Sequence, residues 1–149
     1  MATTERLQEN DFSVLLVEDN PADVELTKRA LSRGPLRSRI RVAREGASAL
    51  QMLREGSVSV TTIGLVLLDL NLPGMSGFDV LREMKADKKL CRIPVVLLST
   101  SGRQADVDRA YDLGAASYVV KPVDLDVYIE TMSVIEAYWM RTVRLSDLR

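Results

Sequence analysis

The sequence predicts a doubly wound α/β domain, built on a five-stranded parallel sheet with helices on both faces. Short apolar runs alternate with segments of helical period, which is typical of βαβ units. The run Leu65–Leu68 is apolar throughout, as expected for a strand buried on both faces. This run and an earlier one, Val14–Val17, both end on carboxylates. Acidic side chains are thereby brought to the carboxyl edge of the sheet, where open α/β folds bind ligands.

The first half of the chain contains three predicted strands and two predicted helices. A strand near Ser13–Val17 runs into Asn20 and Pro21, a good N-cap and a good first helical residue. The helix that follows should reach about Leu31 and close at Gly34-Pro35. Next come a weaker strand near Arg39–Ala43, a helix near Ala47–Arg54 and the strand Leu65–Asp69. The alternation of apolar residues with arginines in the weaker strand predicts a sheet edge.

The second half repeats the alternation and completes five βα units. The predicted elements are a helix near Gly77–Ala86, a strand Val95–Ser99 opened by Pro94, a helix near Gln104–Leu113, a strand Ser117–Val120 and a long helix from Leu125 to about Thr142. Gly114 is a natural left-handed cap for the fourth helix. We expect residues 1–12 to be an N-terminal extension, 13–140 to form one domain and 141–149 to extend the last helix.

Composition excludes several classes of protein. The 149 residues fit one domain, and 46% hydrophobic with 28% charged residues is ordinary for a globular protein. A net charge of −1, from 20 basic and 21 acidic residues, gives no electrostatic footprint for nucleic acid or an anionic membrane. The N-terminus lacks an apolar segment, so we expect no secretory signal, and no apolar run is long enough to span a bilayer.

The absence of histidine is equally informative. The chain has none, which excludes Ser-His-Asp and Cys-His nucleophiles and His-containing zinc sites. Any phosphohistidine chemistry must take its histidine from a partner. The single cysteine, Cys91, cannot form a disulfide within the chain and has no histidine to activate it. We interpret it as an incidental thiol, in keeping with a reducing cytoplasm.

Three carboxylates define the candidate site. Glu18 and Asp19 follow the first strand, and Asp69 ends the third. In the flavodoxin-like strand order 2-1-3-4-5 these strands are neighbours beside the switch point. Crowded carboxylates need a cation or raised pKa values, and a hard cation such as Mg²⁺ suits oxygen ligands. The alternative is that each acid merely caps the following helix.

Residues at the ends of the fourth and fifth strands should join this cluster. Lys121 can pair with a carboxylate or a bound phosphate, and the alternative is a surface lysine before a helix-starting proline. The Ser99 hydroxyl can donate a hydrogen bond to an oxyanion, and the alternative is a polar loop. Pro73-Gly74 forces a turn that would leave backbone carbonyls near Asn71 free to ligate a metal. Asp69 is the best candidate nucleophile, because a carboxylate can form an acyl phosphate without a separate base.

Together these residues resemble the receiver domain of two-component response regulators. The resemblance rests on Glu18-Asp19, Asp69, Ser99 and Lys121-Pro122, and it covers the chain from about Ser13 to Met140. The spacing in the second half agrees without gaps with the chemotaxis-type receiver pattern. Any one of these residues alone would be a weak signal, whereas the set is specific.

The resemblance implies a role for each residue. Asp69 would accept a phosphoryl group from the phosphohistidine of a sensor histidine kinase, without turnover of an external substrate. Asp19, Asp69 and the Asn71 backbone carbonyl would ligate Mg²⁺, and Glu18 would act partly through water. Ser99 and Lys121 would contact the phosphoryl oxygens. The Lys121–Pro122 peptide bond would be cis. Tyr118 would be the aromatic switch that turns inward as Ser99 moves, although it is also explicable as an alternating strand residue at the surface.

The sequence departs from the receiver pattern at two positions. Ser99 replaces the more usual threonine but keeps the hydroxyl, and Thr100 stands where alanine or glycine is usual. We expect the larger Thr100 side chain to slow the entry of an attacking water and so to modulate dephosphorylation.

The last helix carries two apolar faces. Leu125, Tyr128, Ile129, Met132, Ile135 and Trp139 keep helical spacing and should face the core. A second set, Val127, Val134 and Tyr138, lies off that face, with Val143, Leu145 and Leu148 beyond it. We expect output through protein contacts, since no room is left for a DNA-binding domain. A homodimer through the fourth helix, fifth strand, fifth helix and tail is favoured; the alternatives are a kinase contact or a tail that folds back.

The motifs Val17–Asp23 and Val119–Asp124, together with this tail, resemble the stand-alone regulators of bacterial phytochrome kinases. Three other functions fit the sequence less well. A Mg²⁺ phosphohydrolase of the haloacid-dehalogenase type usually needs a second Asp where Asn71 stands, and this chain is too short for a substantial cap domain. A flavin-binding flavodoxin would need a phosphate loop, whereas Glu18-Asp19-Asn20 would repel phosphate. A degenerate receiver acting only as a binding module conflicts with the complete acidic set.

Overall fold

Five parallel strands form one sheet in the order β2-β1-β3-β4-β5. The structure is a computed structural model, and it describes residues 12–31, 40–55 and 62–146. The strands are β1 (Phe12–Val17), β2 (Ile40–Ala43), β3 (Thr62–Asp69), β4 (Val95–Ser99) and β5 (Ser117–Val120). The helices are α1 (Pro21–Leu31), α2 (Gly46–Arg54), α3 (Gly77–Ala86), α4 (Gln104–Asp112) and α5 (Leu125–Glu136). The predicted fold class, strand order and edge position of β2 are confirmed.

The sheet separates two apolar layers, because successive strand residues point to opposite faces. One layer packs α2, α3 and α4 against the sheet through Leu15, Val66, Leu68, Leu81 and Ala110. The other packs α1 and α5 through Leu16, Leu67, Val24, Tyr128 and Met132. Both faces of β1, β3 and β4 are therefore buried, as their uninterrupted apolar runs predicted.

Backbone pairing fixes which residues meet at the carboxyl edge. The Glu18 N–H donates to Ala43 O at 3.0 Å and the Leu70 N–H donates to Leu98 O at 3.1 Å. The Lys121 N–H donates to Ser99 O at 2.7 Å. These bonds continue the ladders one residue beyond the strands, so the residues that follow β1, β3 and β5 start from fixed positions.

The structure confirms the predicted caps Asn20 and Gly114, and it shows a further cap at Ser76 that was not predicted. Asn20 caps α1, since its side-chain oxygen accepts the N–H groups of Ala22 at 2.9 Å and Asp23 at 3.3 Å. Ser76 and Asp79 form a reciprocal capping box at the start of α3. Gly114 follows α4 with φ +99°, a left-handed conformation that costs glycine no side-chain clash.

The last helix differs from its prediction in two ways. It is α-helical over Leu125–Glu136 and continues as a π-helix over Ala137–Thr142, whereas one regular helix was expected. Periodicity cannot reveal this change, because one π turn shifts the face of only a few residues. The predicted extension of the last helix over 141–149 is wrong beyond Thr142, because Val143 is extended and residues 143–146 are not helical. The tail instead folds back, as the alternative expected: a Cβ on Gly64 in β3 would lie 3.0 Å from Leu145 Cδ1, so the glycine makes room for this contact.

The two faces of α5 are mostly as predicted. Tyr128, Met132 and Ile135 are buried, and Ile129 and Trp139 pack at the rim of the same layer. Val127, Val134 and Tyr138 are exposed. The prediction for Leu125 is wrong, since 56% of it is exposed. It is the first residue of the helix, and spacing alone does not say where a helix emerges beyond the sheet.

Some predicted features fall outside the described residues: the closing Gly34-Pro35 pair, nearly all of the N-terminal extension, and Leu148. Among the helices that the structure describes, none combines the length and the apolar character needed to cross a bilayer.

Candidate functional site

The predicted carboxylates do meet at the carboxyl edge of the sheet. Oxygen atoms of Glu18, Asp19 and Asp69 lie within 4.8 Å of one another. Glu18 is 2% exposed and Asp69 is 6% exposed, whereas Asp19 faces solvent. Two of the three acids are therefore held in a desolvated environment, and the third leaves the cluster accessible from outside.

Lys121 enters the same cluster from the end of β5. Its Nζ lies 2.6 Å from Glu18 Oε2 and 3.3 Å from Asp69 Oδ2. Only 8% of the Lys121 side chain is exposed. The alternative of an ordinary surface lysine is wrong, because a buried ammonium group with carboxylate partners is part of the site.

At both groups of this pair burial and the partner's charge act in opposite senses, and the pKa of each group is raised. Burial raises the pKa of Glu18 to about 7, and the hydrogen bond from Lys121 opposes that shift. Burial acts to lower the pKa of Lys121, but its hydrogen bond to Glu18 and the charge of Asp69 outweigh burial and raise it. At a separation of 2.6 Å we regard Lys121 as charged and Glu18 as a weakened acid.

The oxygen atoms of the cluster suit a hard divalent cation. Each buried carboxylate offers one oxygen to Lys121 and the other to a backbone N–H, from Asn20 to Glu18 Oε1 and from Asn71 to Asp69 Oδ1, both at 3.1 Å. These bonds orient the carboxylates and leave lone pairs unused. The exposed Asp19 adds a third anionic oxygen, a donor set that fits a cation such as Mg²⁺, which prefers oxygen and keeps several waters.

The loop after β4 holds the predicted hydroxyl. Ser99 is fully buried, and its Oγ accepts the Ser101 N–H at 3.0 Å. The Ser101 hydroxyl in turn donates to Asp106 Oδ2 at 2.6 Å in α4. Thr100 stands exposed between the two serines.

Tyr118 is linked to that loop. Its ring is half-buried against the layer formed by α2, α3 and α4, and its hydroxyl donates to Ser101 O at 2.8 Å. Its N–H donates to Tyr111 Oη at 3.3 Å. Tyr118 thus contacts the segment that carries Ser99, rather than lying free on the surface.

One predicted detail is wrong. No peptide bond in the described residues is cis, so the Lys121–Pro122 bond is trans. The sequence could not decide this, because the trans form of a bond before proline is favoured by only about 0.5–1 kcal/mol.

Sequence reasoning missed Asp23, a fourth carboxylate at the site. Its Oδ2 lies 3.2 Å from Lys121 Nζ. The signal was available: Asp23 lies in the first turn of the helix that directly follows Glu18 and Asp19, and so starts at the same sheet edge. Nearby, the hydroxyls of Thr27 and Tyr128 form a buried 2.6 Å hydrogen bond between α1 and α5, which was not predicted either.

Comparison with known proteins gives a consistent result. The response regulator receiver domain family matches residues 14–133. Response regulator Rcp1 of Synechocystis is 36% identical over 134 residues, covering 89% of this chain and 91% of Rcp1. The probable methanogenesis regulatory protein FilR2 of Methanothrix harundinacea is 40% identical, covering 89% of this chain and 86% of FilR2.

Solved structures agree with the sequence comparison. The phosphorylated cyanobacterial phytochrome response regulator RcpA superposes with a TM-score of 0.84 at 37% identity, covering 91% of this chain and 98% of RcpA. The Mn²⁺-bound form of Rcp1 superposes with a TM-score of 0.82, covering 90% of this chain and 98% of Rcp1. With the family match and the acidic cluster at the sheet edge, these similarities show that the chain belongs to the receiver domain family of two-component response regulators.

Proposed function

We propose that Asp69 accepts a phosphoryl group from the phosphohistidine of a partner sensor histidine kinase, in a Mg²⁺-dependent reaction. The observation that carries this proposal is the buried Asp69 carboxylate, 3.3 Å from the Lys121 ammonium group. A carboxylate with a fixed cation beside it can attack phosphorus while the cation stays to pair with the new negative charge. The chain contains no histidine, so the donor imidazole must come from a partner.

The proposed transfer exchanges one bond to phosphorus for another. The P–N bond of the phosphohistidine breaks, an O–P bond forms at Asp69, and the released imidazole takes a proton from solvent. When bound by Glu18, Asp19, Asp69 and the Asn71 carbonyl, Mg²⁺ would supply charge neutralisation for the phosphoryl oxygens. Lys121 pairs with those oxygens, and the Ser99 hydroxyl donates a hydrogen bond to them. Turnover of an external substrate is not expected, since the phosphoryl group stays on the chain until water removes it.

The readout of the phosphoryl group would pass through the loop after β4. Ser99, at its start, would turn toward the phosphoryl group, and Tyr118 is hydrogen-bonded to Ser101 in the same loop. Movement of this loop changes the acceptor available to the Tyr118 hydroxyl and thereby biases two positions of the ring. This supports Ser99 and Tyr118 as the switch pair.

The first test is intact mass after incubation with Mg²⁺ and acetyl phosphate. Wild type should gain one phosphoryl group, and no such gain should occur when EDTA removes the Mg²⁺. Asp69→Asn should gain none in either case. Asp112→Asn, an exposed acid on α4, is the matched control and should behave as wild type. No adduct with any donor would leave a phosphorylation-independent binding module, whereas sustained release of phosphate would favour the alternative phosphohydrolase.

Thr100 is proposed to modulate the lifetime of the adduct. Its side chain is exposed beside the buried Ser99, where it can obstruct water approaching Asp69. Thr100→Ala should shorten the lifetime of the phosphorylated form, measured as the decay of the mass adduct. Equal decay in wild type and variant would remove this role.

The partner kinase is proposed to be a bacterial phytochrome. Among the similar proteins, RcpA is a phytochrome response regulator, and it aligns with nearly all of its own length. Phosphotransfer to this chain from a panel of phosphorylated kinases tests the pairing: faster transfer from phytochrome kinases than from others is expected. We place this chemistry in the cytoplasm, with residues 13–140 as the receiver domain and 141–149 as an extension.

A homodimer through the α4-β5-α5 face is proposed as the signalling form. The tail, which was also predicted to take part, is left out of this interface because its Leu145 packs beside Gly64 of the same chain. Large apolar side chains exposed on this face are Tyr111, Val120, Val127, Val134 and Tyr138. Single exposed apolar residues are ordinary, but a set on adjacent elements is typical of a protein contact. Neither nucleic acid nor membrane is expected as a partner.

Sedimentation equilibrium over a concentration series tests the dimer. Val134→Glu should shift the chain toward monomer, because it places a charge within the exposed apolar set. Ala47→Glu, exposed on α2 at the opposite face of the sheet, is the matched control. A monomeric wild type would leave the face to a kinase or another partner.

A further inference from the structure

Asp23 holds the lysine of the site from a third side. Its Oδ2 lies 3.2 Å from Lys121 Nζ, and Glu18 and Asp69 occupy the other two directions. An ammonium group has three N–H donors, so the three carboxylates account for all of them. Because Asp23 is not one of the three acids grouped closely enough to share a metal ion, its charge acts on the cation site through Lys121.

The backbone of Asp23 is fixed by a hydrogen-bond chain that reaches α5. The Thr27 hydroxyl donates to Asp23 O at 2.8 Å, and it lies 2.6 Å from the Tyr128 hydroxyl. Thr27 has one hydroxyl hydrogen and uses it toward Asp23, so Tyr128 must be the donor in the second bond. Thr27 and Tyr128 are both buried, which protects this chain from competition by water.

Negative charges outnumber positive ones at the carboxyl edge, so the partner of Lys121 affects how strongly the edge binds a cation or a phosphoryl group. Glu18, Asp23 and Asp69 all pair with the one ammonium group of Lys121, and Asp19 adds a fourth negative charge beside Glu18 and Asp69. An ion pair between Asp23 and Lys121 reduces the repulsion that Lys121 exerts on an incoming metal cation. The same ion pair reduces the attraction that Lys121 exerts on a phosphoryl group.

We propose that Asp23 is a positioning residue for Lys121, which strengthens divalent-cation binding and restrains the pairing of Lys121 with the phosphoryl group on Asp69. This inference rests on the proposed phosphoryl transfer to Asp69. Removing the charge of Asp23 should therefore weaken Mg²⁺ binding and speed formation of the phosphoryl adduct. A loss of structural integrity would weaken Mg²⁺ binding and slow adduct formation, so the opposite signs separate positioning from a merely structural role.

The test compares Asp23→Asn with Glu25→Gln. The first keeps an oxygen that can accept from Lys121 and removes one charge, and the second removes one charge from an exposed position on the same helix. Calorimetric titration with Mg²⁺ should show about three- to tenfold weaker binding for Asp23→Asn. At saturating Mg²⁺ the adduct should form about two- to fivefold faster with acetyl phosphate, measured by intact mass.

A spectroscopic readout follows Lys121 itself. The chain has five lysines, so the side-chain ¹⁵Nζ signal of Lys121 can be assigned by comparison with a Lys121→Met spectrum. It should shift in Asp23→Asn, return toward wild type in Asp23→Glu and stay unchanged in Glu25→Gln. If Asp23→Asn matched Glu25→Gln in Mg²⁺ affinity and in the Lys121 signal, the inference would be overturned. If wild type formed no adduct, the proposed phosphoryl transfer would fail, while these two measurements would still decide the role of Asp23.

Discussion

The carboxyl edge of the sheet and the C-terminal segment, residues 125–146, are held in different ways. At the edge, each buried charge has several directed partners: Lys121 contacts three carboxylates, and Asp69 also accepts the Asn71 N–H. In the C-terminal segment contacts are apolar and one-sided, with Met132 fully buried and Val134 63% exposed two residues later. Directed bonds fix the position of reacting atoms, whereas an apolar surface left exposed is free to meet a partner.

The largest effect on the carboxyl edge is expected when the ammonium group of Lys121 is removed. Lys121→Met leaves Glu18 and Asp69 buried without their counterion, and we expect a loss of about 3–5 kcal/mol in the free energy of unfolding. Urea denaturation at neutral pH with EDTA measures it, and added Mg²⁺ should restore part of the loss by binding the native state. Lys89→Met, at an exposed position, should change little. Equal losses in both variants would show that the edge does not depend on this ion pair.

The two faces of α5 are compared by truncation. Met132→Ala opens a cavity in the layer between α1 and α5 and should lower the free energy of unfolding by about 3 kcal/mol. Val134→Ala removes exposed atoms and should cost less than about 0.5 kcal/mol in the monomer. Thermal or urea unfolding at low protein concentration measures both. A large effect of Val134→Ala under those conditions would mean that this face is already covered.

The close approach of α3 to Asp69 is tested with a single methyl group. A Cβ on Gly77 would lie 2.5 Å from Asp69 O and 2.8 Å from Leu70 Cα, both backbone atoms. Gly77→Ala should therefore cost about 2 kcal/mol and displace Asp69. Gly102→Ala is the matched control, because its Cβ would meet nothing closer than Val120 Cγ2 at 3.9 Å. Stability and phosphorylation of the two variants should differ accordingly, and similar behaviour would contradict the close approach.

The smallest effect is expected at a buried acid of the C-terminal segment. Glu136 is 4% exposed, and within the described residues its Oε1 has no hydrogen-bond partner. Burial raises the pKa of Glu136, although Arg141 opposes the shift. A raised folded-state pKa means that the group favours folding below about pH 4.5 and loses that benefit as pH rises. Glu136→Gln should stabilise the protein by about 1 kcal/mol at neutral pH.

Unfolding measured from pH 4.5 to 8 checks this expectation. The difference between Glu136→Gln and wild type should grow with pH, and Glu130→Gln, exposed on the same helix, should show no such trend. A difference independent of pH would mean that packing, rather than the ionised carboxylate, distinguishes the two proteins.

Much of the edge was predictable because strand ends are visible in sequence. The apolar runs ending at Val17 and Leu68 place Glu18 and Asp69 on neighbouring strands, and the pairing of Lys121 N–H with Ser99 O follows from the same rule. Asp23 was missed because it lies on a helix, where its side-chain direction depends on how α1 packs. The Thr27–Tyr128 bond joins residues 101 positions apart, a contact that no local pattern reports.

Less of the C-terminal segment could be predicted. Helical spacing identified the face of Met132, but it did not predict the change to π-helix over Ala137–Thr142, where Trp139 and Met140 pack in the layer formed by α1 and α5. The contact of Leu145 with Gly64 is likewise a matter of tertiary fit. The exposure of Leu125 and the trans bond before Pro122 also depend on the surrounding structure. In each case the local sequence only weakly favours one outcome.

The placement of Lys121 has a consequence for synthesis. The acids that it balances are residues 18, 23 and 69, whereas the lysine follows β5, the last strand in the part of the chain that the structure describes. Domains are made from the N-terminus, so a growing chain carries an uncompensated acidic edge until residue 121 arrives. A product truncated before that point has no internal counterion for Glu18 and Asp69. The ion pair thus forms only in a chain that extends past residue 121, so the charge balance of the edge depends on a contact between distant parts of the sequence.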